Sequence, residues 1–406
     1  MEETVSHEAM SLLGQLRSGP ESVEPYPIYA KLRDLGPLLR MTVGTYLATD
    51  APTCREVLRR PEWTVPTPQW KDVNRPAWRT HPSLIAAGKT LMQHNPPMHT
   101  LQRGAIGRYF KPGALDELES VIQEIADRRL AELAEQIAVK RRADYAALVA
   151  HLVPMEVLCR LLGLPDDVDA LVQASRNYRY AMELWPGRGQ LLEADISADA
   201  VAAYLTVALG ERSRCPATDV LGDLLTFENS ERVPSAALDL ATTVLVAGWE
   251  TTAAMLNSML LGLSRYPEQA AWLRGHPGAL PDACAELIRW DPPIQMASRV
   301  AARDTVLAGV SIPAGRAVIA LIGSAEHDPR EVQEPGSLDF TRPARRSLAF
   351  GVGMHYCLGA HLAQLEARIM LRALLRRLPN LKVAGPAIRQ RGIVFRSLRS
   401  LPVELA

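Results

Sequence analysis

The sequence carries no excess of charge, because 45 Lys and Arg balance 45 Asp and Glu. That balance removes any net electrostatic pull toward nucleic acid or an anionic membrane, so neither is expected as a partner. Cysteine is sparse as well. Its five copies (Cys54, Cys159, Cys215, Cys284 and Cys357) stand far apart with no CxxC pair, which excludes a zinc cage or a disulfide framework. The N-terminal MEETVSHEAM lacks the charged-then-apolar pattern of an export signal, so a cytoplasmic protein is expected. No internal repeat and no low-complexity linker interrupts the chain.

What is present is ordinary globular sequence: 48% hydrophobic and 22% charged over 406 residues, enough to bury a large core. Pro and Gly punctuate the first hundred residues, where β-like pieces at Leu38–Val43 and Thr45–Thr49 predict a small sheet. Apolar residues then recur at three-and-four spacing over Leu115–Ile137 and Tyr145–Leu162, predicting half-buried helices, and the Gly-Leu-Pro run at 163–165 stops the second. Strand-like patches return at Arg299–Val310 and Arg316–Ile322. One mainly α domain with small β-sheets, residues 1–406, is the reading that needs no invented boundary, with 1–20 expected to be only partly ordered.

The stretch Leu240–Ser264 holds a single charge, Glu250, and predicts a long buried helix with Ser235 as its N-cap. Seven polar residues, among them Thr242, Glu250, Thr251 and Asn257, make it too polar for a membrane span. Gly248 costs such a helix about 1 kcal/mol relative to alanine, which is explained if something must press on bare backbone there. Two readings of its polar centre stand. Either Glu250 and Thr251 relay protons, or Thr251 bonds back to the carbonyl of Ala247 while Glu250 pairs with an arginine from elsewhere.

Further on, Phe350-Gly-Val-Gly-Met-His-Tyr-Cys357-Leu-Gly359 is a Gly-rich turn leading into an amphipathic helix with Leu362, Leu365, Ile369 and Ala373 on one stripe. A cysteine at a helix start is favoured as thiolate, so Cys357 can be a metal ligand or a nucleophile. Gly351, Gly353 and Gly359 let the backbone approach something flat and bulky. Glu286 and Arg289 sit at i and i+3 on one helical face. His99 and Arg103 share another, just after a Pro-Pro helix start.

Taken together, these segments resemble the cytochrome P450 family over nearly the whole chain. FGVGMHYCLG matches that family's heme loop FGxGxHxCxG at every specified position. The resemblance implies heme b with Cys357 as axial thiolate and iron ligand. It also implies Phe350 against the ligand loop, and the N–H groups of Leu358 and Gly359 tempering the sulfur's charge. Ala247-Gly-Trp-Glu-Thr-Thr252 is similar to the oxygen-activating AGxETT segment. That similarity places Gly248 against the cofactor and gives Glu250 and Thr251 the catalytic proton relay. His99, Arg103, Arg299 and His355 match the family's contacts to the heme propionates. Glu286-Leu-Ile-Arg289 looks like the structural ExxR pair. Asn95, Glu326-His327-Asp328-Pro329 and Ser337 depart from the usual residues at their places, none of which touches iron.

The activity implied is monooxygenation. One atom of O2 enters a small organic substrate, the other leaves as water, and electrons come from a separate ferredoxin and ferredoxin reductase. Arg345 and Arg346, with Arg103, Arg108 and Arg372, are expected to form the basic face that receives an acidic ferredoxin. The segments the family uses for its pocket contain Ala247, Ile294, Gln295, Met296 and Ile393, with Trp63, Trp70, Trp78 and Trp185 nearby. An apolar, ring-containing substrate of secondary-metabolite type follows, with Gln295 as a polar contact. A peroxide-using heme enzyme of the same fold and a heme-based gas sensor or carrier are the alternatives. The Glu250–Thr251 pair argues against both.

Overall fold

The computed structural model describes residues 2–18, 24–41, 44–165, 167–343 and 345–405. It is mainly helical with small sheets. The chain folds as two compact units interleaved in sequence: Met1–Pro66, Ala254–Cys357 and Pro379–Ala406 form one, Thr67–Ala253 and Leu358–Leu378 the other.

The first unit is organised by a five-stranded sheet in the order Leu38–Arg40, Tyr46–Ala48, Ala317–Leu321, Met296–Ala301, Trp63–Thr64. Tyr46–Ala48 pairs in parallel with Ala317–Leu321 and the other pairs are antiparallel. The strand Ala317–Leu321 is buried at every position, as an apolar run in mid-sheet must be when both faces are covered. The predicted strand Leu38–Val43 ends at Arg40, and Thr42 and Val43 lie outside the described residues. The predicted run Arg299–Val310 divides into the strand Met296–Ala301 and a hairpin of Thr305–Leu307 with Val310–Ile312. Ala308 and Gly309, both left-handed at φ 47° and 79°, turn that hairpin. The N-terminal segment, expected to be loose, is a helix over Glu2–Ser18 that buries Ala9, Leu12 and Leu13 at the spacing of one face. Around the sheet lies a core that includes Val57, Leu58, Trp63, Val318, Ile322 and Leu348, with Val352 packed against it. Leu348 and Val352 belong to the approach and the body of the cysteine loop, so the sheet core anchors that loop directly.

The second unit is helical. Pro112–Lys140 starts on a proline and buries Leu115, Ile122, Ile125, Ala126, Leu130, Leu133 and Ile137. That stripe packs on the helix Ala360–Arg377, which follows the cysteine loop. The stretch expected as one helix over Tyr145–Leu162 is a π-helical turn, Ala146–Ala150, followed by the helix Leu152–Leu162. Gly163 ends it at φ 75°. Before His99 the chain forms the short helix Pro68–Asn74, a single turn Pro76–Thr80 and the helix Pro82–Gly88. Asp195 of the helix Arg188–Arg214 fastens this segment: it accepts from the N–H and Oγ of Ser83 at 3.0 and 2.6 Å and meets His81 Nδ1 at 2.7 Å.

The long helix runs from Ala236 to Arg265, about 45 Å at 1.5 Å per residue, and the chain passes from the second unit to the first within it. It is long and apolar enough to cross a membrane, yet 78% of its most apolar window is buried inside the protein, which marks a core helix. Its predicted cap differs. Ser235 takes a left-handed backbone at φ 64°, and the N–H of Ala237 is satisfied by the Glu228 carboxylate at 2.9 Å.

Candidate functional site

The cysteine loop is shaped by its own backbone. Gly351 N–H donates to Leu348 O at 2.8 Å, Tyr356 N–H to Gly353 O at 3.1 Å and Cys357 N–H to Phe350 O at 2.9 Å, which folds the loop back on itself before the helix begins at Ala360. Gly351 and Gly353 adopt φ 70° and 79°, a region that L residues other than glycine enter at a cost. At Gly353 the requirement is doubled. A Cβ there would lie 2.9 Å from both Arg59 Cα and Leu58 O. Every residue from Ala349 to Gly359 is half-buried or exposed, including the aromatic ring of Phe350. So an apolar, backbone-rich loop sits on a well-packed core with its other side open.

The same contrast appears on the long helix. From Leu240 to Ala253 its second-unit half is buried, except for one stripe: Ala247, Gly248 and Thr251 stay half-open at i, i+1 and i+4. Glu250 points elsewhere. It is 3% exposed and faces Arg179, itself 1% exposed, with Nε and Oε1 3.9 Å apart. The Arg179 guanidinium in turn stacks on Tyr180 at 4.2 Å. The Thr251 hydroxyl donates to Ala247 O at 2.8 Å. Both halves of the arginine-and-back-bond arrangement left open by the sequence are therefore present, and they set the resting positions of the two side chains. The indole N–H of Trp249 donates to His151 O at 2.8 Å and pins the helix between these residues. At Gly248 an added Cβ would come within 3.0 Å of Leu158 Cδ2, so close packing by the neighbouring helix is itself a reason for glycine there.

Four groups expected to meet carboxylates are distributed over three elements. His99, 2% exposed, and half-buried Arg103 share a face of the helix Met98–Gly107. Burial holds the His99 imidazole below its usual pKa, and the charge of Arg103 adds to the shift. His355 is half-buried in the cysteine loop. Arg299, on the strand Met296–Ala301, is the most telling: burial alone pulls its pKa down to about 10, and its Nη1 donates to Ser298 O at 2.9 Å. No carboxylate among the described residues offsets that buried charge.

Glu286 and Arg289 form a buried bidentate pair, with Nε and Nη2 at 2.7 and 2.8 Å from the two carboxylate oxygens. Arg289 also donates to the carbonyls of Glu326, Pro335 and Ser337, which stitches this helix to the irregular chain ahead of the cysteine loop. Ser337 thus contributes its backbone. The extra base comes from Arg342, whose Nε reaches Glu286 at 3.2 Å.

Against known proteins, the family model for cytochrome P450 matches residues 279–384, which hold the Glu286–Arg289 pair and the whole cysteine loop. The vitamin D(3) 25-hydroxylase of Pseudonocardia autotrophica is 31% identical over 408 residues, covering 96% of each chain. The chain belongs to the cytochrome P450 family. Solved P450 structures align over nearly all of it. The epothilone B-bound P450epoK does so at 27% identity and a TM-score of 0.85, covering 94% of this chain and 96% of its own. P450BioI, in complex with a hexadec-9Z-enoic acid-ligated acyl carrier protein, does so at the same identity and score, covering 94% and 99%.

A P450 is a heme-thiolate monooxygenase, and this protein is accordingly an oxidoreductase that uses heme b with a cysteine thiolate as axial ligand. The residues present fit that group. Within the first unit, Arg299 is a buried cation in need of an anion and the cysteine loop leaves an apolar side open.

For the remaining P450 positions the structure separates what faces a ligand from what faces the protein. Ile294 and Ile393 are half-open, while Met296 is 2% exposed. Gln295, expected as a polar substrate contact, is 3% exposed; its amide N–H donates to Pro292 O at 2.7 Å, and its Oε1 lies 2.1 Å from where a Cβ on Gly323 would be. Trp63 is a core residue of the sheet. Trp78 is buried between the cations of Lys71 and Arg79, which leaves half-open Trp70 and Trp185 for stacking. Arg345 does not contribute an open positive charge, since its guanidinium binds Glu326 at 2.8 Å and Glu331 at 3.0 Å, and Arg108 is paired with Asp223. Arg179 and Arg342 escaped the sequence reading because a lone arginine in a short helical turn, as at Tyr178–Met182, or in irregular chain carries no pattern. The flanking Tyr178 and Tyr180 were the one local hint of burial.

Proposed function

We propose that this P450 inserts one atom of O2 into a small, apolar, ring-containing organic substrate. The substrate C–H becomes C–OH, the second oxygen atom leaves as water, and two electrons and two protons are consumed. A ferredoxin and its reductase, as separate proteins, supply the electrons. The observation that carries the reading is the open stripe of Ala247, Gly248 and Thr251 in the otherwise buried stretch of residues 240–260, with Glu250 adjacent in sequence.

In this reading Cys357 holds the heme iron, the N–H groups of Leu358 and Gly359 moderate its sulfur, and Phe350 packs beneath. His99, Arg103, Arg299 and His355 take the two propionates, an anion partner that relieves the desolvated charge of Arg299. When bound, the heme supplies the redox chemistry of O–O cleavage, aided by electron release from the thiolate. The protein's own part is positioning and proton delivery. Thr251 presents its hydroxyl at the open stripe after giving up its bond to Ala247 O, a loss of about 0.5–1.5 kcal/mol. Glu250 hands protons forward from a dry position beside Arg179. Ala247, Ile294 and Ile393 offer half-open apolar side chains, Met296 backs them from the core, and Trp70 and Trp185 offer rings for stacking.

Thr251→Ala should keep heme and substrate binding while most reducing equivalents appear as hydrogen peroxide. Glu250→Gln should chiefly lower turnover. Unchanged coupling of electron use to product in both variants would contradict the relay. A spectral titration that responded to fatty acids alone, and to none of a panel of ring compounds, would contradict the substrate class.

A further inference from the structure

The segment of residues 67–94, ahead of His99, holds one carboxylate, Asp72, against four cations: Lys71, Arg75, Arg79 and Lys89. Asp72 is fully committed. Arg79 grips both of its oxygens at 2.8 and 2.9 Å, and the indole N–H of Trp78 adds a third bond at 2.8 Å. Lys89 has a compensating charge in Asp239, whose acidity it enhances. That leaves Lys71 and Arg75, four residues apart at the end of the helix Pro68–Asn74, with no carboxylate among the described residues set against either.

Their surroundings make this costly. Lys71 Nζ sits 5.5 Å over the Trp78 ring, donates to Gln93 Oε1 at 3.1 Å, and would be 3.5 Å from a Cβ on Gly88. Burial pulls its pKa down to about 8, and the neighbouring Arg75 adds to the shift. Arg75 is also desolvated by the protein around it, yet more than a third of its surface remains open. Like charges at i and i+4 destabilise a helix, and a partly dehydrated cation without a counter-ion is more costly still. The Trp78 ring and Gln93 offset part of the cost at Lys71, but no opposite charge among the described residues is set against either cation.

We propose that Lys71 and Arg75 form an anion-recognition element for the substrate, so that the molecule oxidised carries a carboxylate remote from the carbon that is hydroxylated. The inference rests on the substrate-pocket reading of this segment and sharpens it: an apolar ring for the walls, an acid group for the two cations. A carboxylate accepts bidentately from Arg75 while Lys71 adds a point charge, so charge and geometry both select against a neutral analogue.

Matched acid and methyl-ester pairs test this by spectral titration of the heme-loaded protein: cyclohexylbenzoic acid, cinnamic acid and myristic acid, each against its ester. At least one acid should bind about tenfold or more tightly than its ester. Arg75→Gln and Lys71→Gln should each erase most of that ratio, the double variant should bring it close to one, and Lys71→Arg should restore it. The myristic pair separates the anion from the scaffold, because an acid preference there alone keeps this inference and contradicts the ring. No acid preference in any wild-type pair, or a preference that survives the double variant, would overturn it. The carbon monoxide spectrum of each sample separates the two claims: its failure in the wild type strikes the heme assignment, whereas a normal spectrum without acid preference strikes only the anion element.

Discussion

The cysteine loop and the segment before His99 are both half-open, and they are built in opposite ways. In the loop, backbone geometry does the shaping. Two left-handed glycines and three main-chain hydrogen bonds shape residues 348–357, with one distant side chain, the Glu326 carboxylate, accepting the Leu348 N–H at the start. In the segment of residues 67–94, side chains do it: Asp72 ties Trp78 and Arg79, Asp195 holds Ser83 and His81, and two cations are left over. A site defined by backbone tolerates almost no change and is written in its local sequence. A site defined by side-chain partners can be re-aimed by single substitutions, as a region that selects substrates requires.

The largest effect that sharpens this contrast is expected at Arg289. Arg289→Met removes a buried guanidinium that serves one carboxylate and three carbonyls leading into the loop, a loss of about 3–5 kcal/mol out of the ~5–15 that keep a protein folded. Denaturant titration should show that loss together with poor heme retention. A loss below about 1 kcal/mol with full heme content would mean the loop holds itself.

Next comes Gly353→Ala, which combines a left-handed backbone with a Cβ pressed 2.9 Å from two main-chain atoms, for about 2–4 kcal/mol. Gly359→Ala is the control. Its φ is −84° and the nearest atom to its Cβ is 4.0 Å away, so it should lose less than half as much. Equal losses in thermal unfolding would remove the backbone argument.

A smaller effect, on rate alone, is expected at Arg179. Arg179→Gln frees the Glu250 carboxylate from its buried cation and should lower kcat by about tenfold, alter its pH profile and reduce coupling, with Arg179→Lys recovering part. An unchanged pH profile with unchanged coupling would reduce Arg179 to a packing residue.

These sites also show what a single sequence discloses. The long helix, the helix Pro112–Lys140 and the cysteine loop were legible because periodicity and glycine placement are local properties. Helix ends were less so: Ser235 looked like a cap, but the acceptor is Glu228 from the preceding helix. Side-chain partnerships across the fold were hidden. Glu250 called for an arginine without naming Arg179, and Gln295 looked available until Gly323 gave its amide a place to pack. The cations Lys71 and Arg75 were visible as letters. Their lack of a counter-ion became visible only once Asp72 was seen to be taken by Arg79 and Trp78.

The central claim is that Cys357, held by its backbone loop, is the heme's thiolate, and the carbon monoxide spectrum of the reduced protein tests it most directly. The wild type and alanine variants of Cys54, Cys159, Cys215 and Cys284 should all show the red-shifted thiolate Soret band, and Cys357→Ala should lose it. A Cys357→Ala protein that kept the band, or loss of the band in one of the other four variants with its fold intact, would contradict the account.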